Sequence, residues 1–368
     1  MEERQSRLSS MVWRRLRPYF CVLLIPQNSM FSNFCHVLNI PAYNSEKTIK
    51  RCALSCASQK SPNLDIEIII VDDGSDDKTP EIITELKKDI PEIVSLKQKN
   101  QGVSVARNNG IDLAQGDYIM FVDADDYLTN NVICPFLEIM TDNNLCVLAH
   151  GAIVENEEEP YSKTVPVNIP FDSPNSGIEY IRTNSGPYRV GSVGGAWAFI
   201  LNNQFLKDSN VRFIERLPFG EDSLFYLSLL PKAKRVSFTS SCFYHYVQQS
   251  QSVMHKKYDI RTIADATLMR CEANRKLSNE FQSDPDLKDI INSRLISILF
   301  SRVFLKIIKD KIDFATAKEI QKQFEETGFW PLPELPNTHR PYQGFKAFIY
   351  NLCRRPAIYN FFRVISRL

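Results

Sequence analysis

Tyr118-Ile119-Met120-Phe121-Val122-Asp123-Ala124-Asp125-Asp126 is the stretch on which the reading of this chain turns. Its first part is an unbroken apolar run, the pattern of a strand buried on both faces. The carboxylates leave together at that strand's carboxyl end, the edge of an open α/β sheet where ligands bind. Residues i and i+2 of extended backbone point the same way, so Asp123 and Asp125 converge on one ligand. Two hard oxygen donors suit Mg²⁺ or Mn²⁺, ions that also hold diphosphates. The competing reading is an acidic turn capping a helix expected over 130–140, and a lone Asp-x-Asp favours it. The company the motif keeps decides between them.

Upstream, strand and helix alternate. Residues 35–40 read as a first strand ended by Pro41, and Ser45 starts a helix reaching about Gln59, with Glu46 complementing the helix dipole. Residues 66–71 form a second strand. A helix over 80–88 begins at Asp76 or Thr79, Pro80 fitting an early helical position. Residues 93–96 are a short strand, and Gly102 opens a helix to about Ala114. This order predicts a parallel, doubly wound sheet. Residues 155–174 read as an irregular excursion, 221–230 as a helix, 235–238 and 242–247 as two strands, and 258–329 as helical.

A net charge of +1 argues against a nucleic-acid binder. Nine cysteines without a Cys-x-x-Cys pair read as core thiols of a reducing compartment, which excludes a disulfide framework and a zinc site. No apolar stretch approaches the roughly 18 residues of a membrane-spanning helix. Residues 1–29, basic and then apolar, lack a small-residue cleavage site. They are expected to be an extension ahead of a true start at Met30.

Four further motifs accompany the first. Ile40-Pro41-Ala42-Tyr43-Asn44 closes the first strand, and Val71-Asp72-Asp73-Gly74-Ser75 closes the second. Asn100-Gln101-Gly102-Val103-Ser104-Val105-Ala106-Arg107-Asn108 covers a turn and the start of a helix, and Gly220-Glu221-Asp222 lies far downstream. In this order and spacing, over residues 35–255, the chain resembles the family 2 glycosyltransferases, inverting enzymes of the GT-A fold that use nucleotide-sugars. The type resembled is the one that builds bacterial cell-surface polysaccharide. The resemblance implies a GT-A-like doubly wound mixed sheet, with a Rossmann-like nucleotide-binding half, and an α-helical C-terminal region. Asn39 departs from the family's aliphatic residue, and a buried amide there needs a partner.

The resemblance also implies roles. Pro41, Ala42 and Tyr43 would line the base pocket, and Asp72 would accept from the N3–H of uracil. Asp73 would hold its loop through backbone N–H groups near Gly74 and Ser75. Arg107 would pair with phosphate, its fork matching phosphate oxygens, or else form a surface salt bridge. Asp123 would take the ribose hydroxyls or share the metal with Asp125, while Asp126 would be an N-cap or supporting group. Asp222 would be the general base, with Glu221 orienting its neighbours; dipole complementation at a helix start is the plainer alternative. Gly194, Gly195 and Trp197 would lie beneath the acceptor, unless Trp197 is simply a core residue. His255 would complete metal or diphosphate coordination and Ser252 would bond phosphate, whereas His245 reads as a packed structural histidine.

The expected organisation is an extension (1–29), a GT-A domain (30–255), a helical region (256–335) and a basic amphipathic tail (336–368). The tail's arginines, set among Phe345, Phe348, Tyr350, Phe361 and Phe362 without an acid, suit a membrane-surface helix; a helix packed on the protein is the alternative. The chemistry expected is transfer from a nucleotide-sugar to a saccharide or lipid-linked saccharide, in the cytoplasm at the inner face of the membrane. A nicotinamide dehydrogenase would need Gly-x-Gly-x-x-Gly where Pro41-Ala42-Tyr43-Asn44 stands. A nucleotidyltransferase would need a basic glycine-rich loop near its start, which is missing. A non-catalytic sugar-binding protein on the same fold is the remaining rival, and it has no need of Asp125 and Asp222 together.

Overall fold

Four strands, β1 (Phe34–Ala42), β2 (Leu64–Asp72), β3 (Ile93–Lys97) and β4 (Tyr118–Phe121), run parallel in the spatial order β3-β2-β1-β4. The computed structural model describes residues 34–156, 162–165, 175–184, 195–248 and 258–334, with 347, 350, 351, 353–356 and 359. The extension expected over 1–29 lies outside them. Helices α1 (Ile49–Ala57), α2 (Thr79–Asp89) and α3 (Val103–Leu113) link these strands. Side chains alternate between two cores: Ile66, Ile68 and Ile70 of β2 pack on one face, Ile69 and Val71 on the other. Burial on both faces is what an uninterrupted apolar strand requires.

The second half makes the sheet mixed. In chain order it adds β5 (Tyr127–Leu128), α4 (Cys134–Asp142), β6 (Val147–Asn156), β7 (Ser162–Val165) and α5 (Gly177–Asn184). There follow β8 (Phe199–Asn202), α6 (Asn203–Ser209), α7 (Glu221–Leu229) and β9 (Val236–Gln248). Strand β8 lies antiparallel to β4, and the path continues through β6 and β9 to β5. The acidic motif therefore bridges β4, inside the sheet, and β5, at its far end. Three local expectations are corrected. The helix expected from residue 130 starts at Cys134, after Asn131 takes a left-handed conformation (φ 54°). The segment read as irregular holds the end of β6 and β7, which pair antiparallel. The two strands read over 235–247 are one, β9.

Over residues 258–334 the chain is mainly helical: α8 (Ile260–Glu280), α9 (Pro285–Ile298), a π-helical turn (Leu299–Phe304), α10 (Leu305–Lys309) and α11 (Phe314–Glu326). Asp259, Asp284 and Asp313 each cap a helix by accepting from backbone N–H groups in its first turn. These helices share their own core around Leu299, Phe304 and Phe324. Ala266 of α8 meets Leu224 of α7 and Leu217, bringing the helical region against the site. Tyr350, Cys353 and Tyr359 are buried in this helical core, and Tyr350 donates to the Pro333 carbonyl at 2.7 Å. Tyr350, counted among the lipid-facing residues of the tail, instead packs on the protein; residues 336–346 and 361–368 are outside the described residues. Among the described residues no helix is long and apolar enough to cross a membrane.

Candidate active site

The carboxyl end of β4 delivers the acidic motif, and β9 holds it. Asp126 is 1% exposed and accepts from the Val247 N–H at 2.8 Å and the Tyr244 hydroxyl at 2.6 Å. Tyr244 in turn accepts from the Asp123 N–H at 3.1 Å. Burial, then the neighbouring Asp123 and Asp125, push the Asp126 carboxyl up to about 9. Asp126 thus anchors the turn to β9 and caps no helix. Its fixed position leaves Asp123 and Asp125 to line the cleft.

Arg107, on α3, is the centre of the site. It is 4% exposed, and its fork spans two elements. Nη2 donates to Asp123 Oδ1 at 2.8 Å; Nη1 donates to Asp222 Oδ1 at 2.8 Å and Glu221 Oε1 at 3.1 Å. The guanidinium sits 5.2 Å from the centre of the Phe213 ring, which stacks on Phe225 and meets Phe121 edge-on. These ion pairs are buried, not the surface salt bridge of the alternative reading. Burial alone would push the guanidinium down, but Asp222, Asp123 and Glu221 outweigh it and hold it cationic. Asn39 explains itself here: its amide donates to the Arg107 carbonyl at 2.9 Å, tying β1 to α3.

Asp222 opens α7 beside Gly220, which takes the left-handed conformation (φ 79°) that glycine permits. Burial raises the Asp222 carboxyl, Arg107 lowers it, and Glu221 and Asp123 raise it again, leaving it at about 7. A quarter of the side chain still faces the cleft (25% exposed). A carboxylate so poised can take a proton near neutral pH.

The second motif divides its labour differently from expectation. Asp72, not Asp73, accepts from the Ser75 N–H, at 2.9 Å. Asp73 accepts from the Gln101 and Gly102 N–H groups and the Gln98 amide, each at 2.8 Å, and so fixes the loop that starts α3. The Asp72 Oδ2 is buried with no hydrogen-bond donor and lies 3.8 Å from Lys97 Nζ. This buried acceptor lacks a donor within the protein, and of the two acids Asp73, not Asp72, lines the cleft.

A cleft of about 2070 Å³ joins Asp73, Arg107, Asp123, Asp125, Glu221 and Asp222. Pro41, Ala42 and Tyr43 line one part; Arg107, Asp123, Asp125, Glu221 and Asp222 its middle; Gly195 and Trp197 another wall. Trp197 stacks on Tyr244 (4.8 Å) while lining the cleft, so it is packed and accessible at once. A Cβ on Gly195 would lie 2.5 Å from the indole nitrogen, so glycine makes room for that ring. His245 stacks on Tyr127 and bonds Glu155 and Thr129, as a structural histidine does. Gly194, Ser252 and His255 lie outside the described residues. Among the described residues no group of three His, Cys, Asp or Glu side chains is arranged to hold a metal. Sequence reasoning missed Tyr244 as the anchor and the arginines of α8 and α9 that reach the cleft, whose helical spacing gave no sign of it.

The architecture is that of the GT-A class. The structure of S. aureus TarS 1-349 in complex with UDP-GlcNAc superposes with a TM-score of 0.65 at 21% identity, covering 91% of this chain and 90% of that one. Residues 38–201 match the family described as Glycosyl transferase family 2. Among curated relatives, the uncharacterized glycosyltransferase EpsJ of Bacillus subtilis (strain 168) is 30% identical over 60% of this chain and 62% of its own. An uncharacterized glycosyltransferase of Haemophilus influenzae is 42% identical over 30% of this chain and 44% of its own. The chain thus spans less than two thirds of the length of either relative.

Proposed function

We propose that this chain is an inverting glycosyltransferase that moves a sugar from a nucleotide-diphosphate donor, a UDP-sugar, to an acceptor hydroxyl. The observation that carries it is Arg107 gathering Asp123 with Glu221 and Asp222 at the middle of one cleft. The donor-side turn and the general base are thereby locked to each other. Asp222 takes the proton of the acceptor hydroxyl as its oxygen bonds to the sugar's anomeric carbon. The bond from that carbon to the diphosphate breaks on the opposite face, its electron pair leaving with the diphosphate. A single displacement of this kind needs no enzyme nucleophile. Uracil recognition falls to the Asp72 carboxylate, whose Oδ2 takes no hydrogen bond from the protein, with Pro41, Ala42 and Tyr43 enclosing the base.

Asp123 and Asp125 fit a divalent cation: both are hard oxygen donors on one turn, and the Asp123 side chain is 28% exposed to the cleft. They would hold Mn²⁺ or Mg²⁺, which offsets charge on the leaving diphosphate. The acceptor is a saccharide or lipid-linked saccharide of cell-surface polysaccharide or glycolipid synthesis. With Tyr350, Cys353 and Tyr359 buried, the tail would meet an anionic membrane through its arginines, in the cytoplasm at the inner face. A panel of nucleotide-sugars tested for donor hydrolysis with Mn²⁺ decides the matter. Turnover of a UDP-sugar supports transfer; tight binding without any turnover would favour the non-catalytic sugar-binding rival.

A further inference from the structure

The helical wall of the cleft carries charge that the transfer chemistry does not use. Arg294 of α9 is 3% exposed, and its Nε, Nη1 and Nη2 are all buried without a hydrogen-bond partner. Arg270 of α8 is 7% exposed, and its Nε is likewise unpartnered. Both line the cleft together with Arg302, whose guanidinium lies 5.8 Å from the centre of the Phe219 ring. Arg270 sits directly over Gly220, where a Cβ would lie 2.6 Å from its Cζ. The cluster therefore adjoins Glu221 and Asp222.

Such an arrangement costs stability. Burial pushes Arg270 down to about 10, with Arg302 repelling it further, and Arg294 down to about 10, with Arg270 repelling it. Buried charges are ordinarily paired, and a guanidinium stripped of water and left unbonded is destabilising. Three like charges beside one cavity, one with every donor open, are arranged to receive an anion. The acids lining this side of the cleft are engaged: Glu221 and Asp222 accept from Arg107, Asp259 caps α8, and Asp310 pairs with Lys306.

We propose that Arg270, Arg294 and Arg302 form an anion subsite that binds a phosphate group of the acceptor, placing a phosphate-bearing chain beside Asp222. The proposal rests on the glycosyltransferase reading for its acceptor assignment, but the site itself stands on the unpartnered arginines. The donor diphosphate is the other source of the same chemistry, and it belongs at the turn of Asp123 and Asp125.

The test uses the full chain, held with saturating UDP and Mn²⁺, and titrates inorganic phosphate and then glycerol 3-phosphate by calorimetry and thermal melting. Free glycerol and chloride at matched ionic strength are the controls. Phosphate should bind on top of UDP and raise the melting temperature by mass action. Arg294→Met and Arg270→Met should each weaken phosphate binding about 10–100-fold while leaving UDP affinity unchanged. Arg294→Lys, a point charge without the fork, should keep part of it. Arg294→Met should also melt higher than wild type without ligand, since an apolar side chain replaces an unpaired charge. No phosphate response in the wild type, or an unchanged one in both Met variants, overturns the subsite. Phosphate that competes with UDP overturns the acceptor assignment and places the arginines at the donor. If the protein bound no UDP, the glycosyltransferase reading would fall, while phosphate alone would still decide the subsite.

Discussion

Arg107 donates to Asp222 at 2.8 Å across 115 residues of sequence, and the same guanidinium holds Asp123 at 2.8 Å. One cation therefore sets the spacing between the Asp123 turn and the start of α7, the two sides to which the proposed mechanism gives the donor and the base. It also opposes the repulsion among three carboxylates packed into one partly buried space. Because α3 carries it and Asn39 fixes that helix to β1, the spacing is inherited from the sheet.

Removing that cation should unfold or disorder the site. Arg107→Met leaves three carboxylates without their common partner, and breaking a buried ion pair typically costs about 3–5 kcal/mol. Chemical denaturation should show a loss of that order with transfer abolished. Arg107→Lys should recover part of the stability and little of the activity, because one ammonium cannot span both sides as the fork does. A loss below about 1 kcal/mol for the Met variant, the worth of a surface pair, would mean that the carboxylates do not depend on Arg107.

Asp73 offers a test of the loop that starts α3. Asp73→Ala leaves the Gln101 and Gly102 N–H groups without their acceptor, at about 1–3 kcal/mol for each donor left unsatisfied. Amide exchange over residues 98–103 should quicken, and donor affinity should fall because Arg107 is carried by this helix. Unaltered exchange in that loop would show that Asp73 does not fix it.

The parallel half of the fold was legible because β1, β2 and β4 are largely apolar runs closed by Pro41, Asp72 and Asp123. The register of β2, with Ile68 and Ile70 on one face and Ile69 and Val71 on the other, follows from the period of the backbone alone. Strand β7 was not legible: Ser162-Lys163-Thr164-Val165 is wholly exposed and pairs through backbone bonds that side-chain pattern does not encode. In the site, the motifs named the residues but not their partners. Nothing in the spacing of Arg107 says that it faces Asp222, because tertiary contact set that pairing. The bond to Ser75 fell to Asp72 and not to Asp73 for a similar reason, since the turn's geometry, not the order of the two acids, decides which one meets it.

Metal dependence is expected to run through Asp125. Asp125→Ala should weaken the Mn²⁺-dependent part of UDP-sugar affinity and abolish transfer, while UDP binding in chelator should match the wild type. Calorimetry with and without Mn²⁺ separates the two components. A variant that turned over normally with the metal removed would sink the assignment of Asp125.

The last expectation concerns pH and Asp222. Its carboxyl lies at about 7 in the folded protein, above its ordinary value of 3.8. The folded state therefore binds more protons than the unfolded chain between those values, so this group's contribution to stability declines as pH rises from about 4 to about 7. Activity should move the opposite way. The base form grows as pH rises through about 7, so kcat/KM should climb along an acid limb centred there. Asp222→Asn keeps the shape and can still bond Arg107 through its carbonyl oxygen, but it cannot accept the acceptor's proton. General-base loss typically lowers the rate about 10²–10⁴-fold, and the acid limb should vanish with it. UDP affinity should stay close to normal, because Asp72 and Asp125 are untouched. Calorimetry and product formation on one preparation read both quantities. Wild-type turnover in Asp222→Asn would move the base to Glu221, and lost UDP binding would instead make Asp222 an organiser of the donor site.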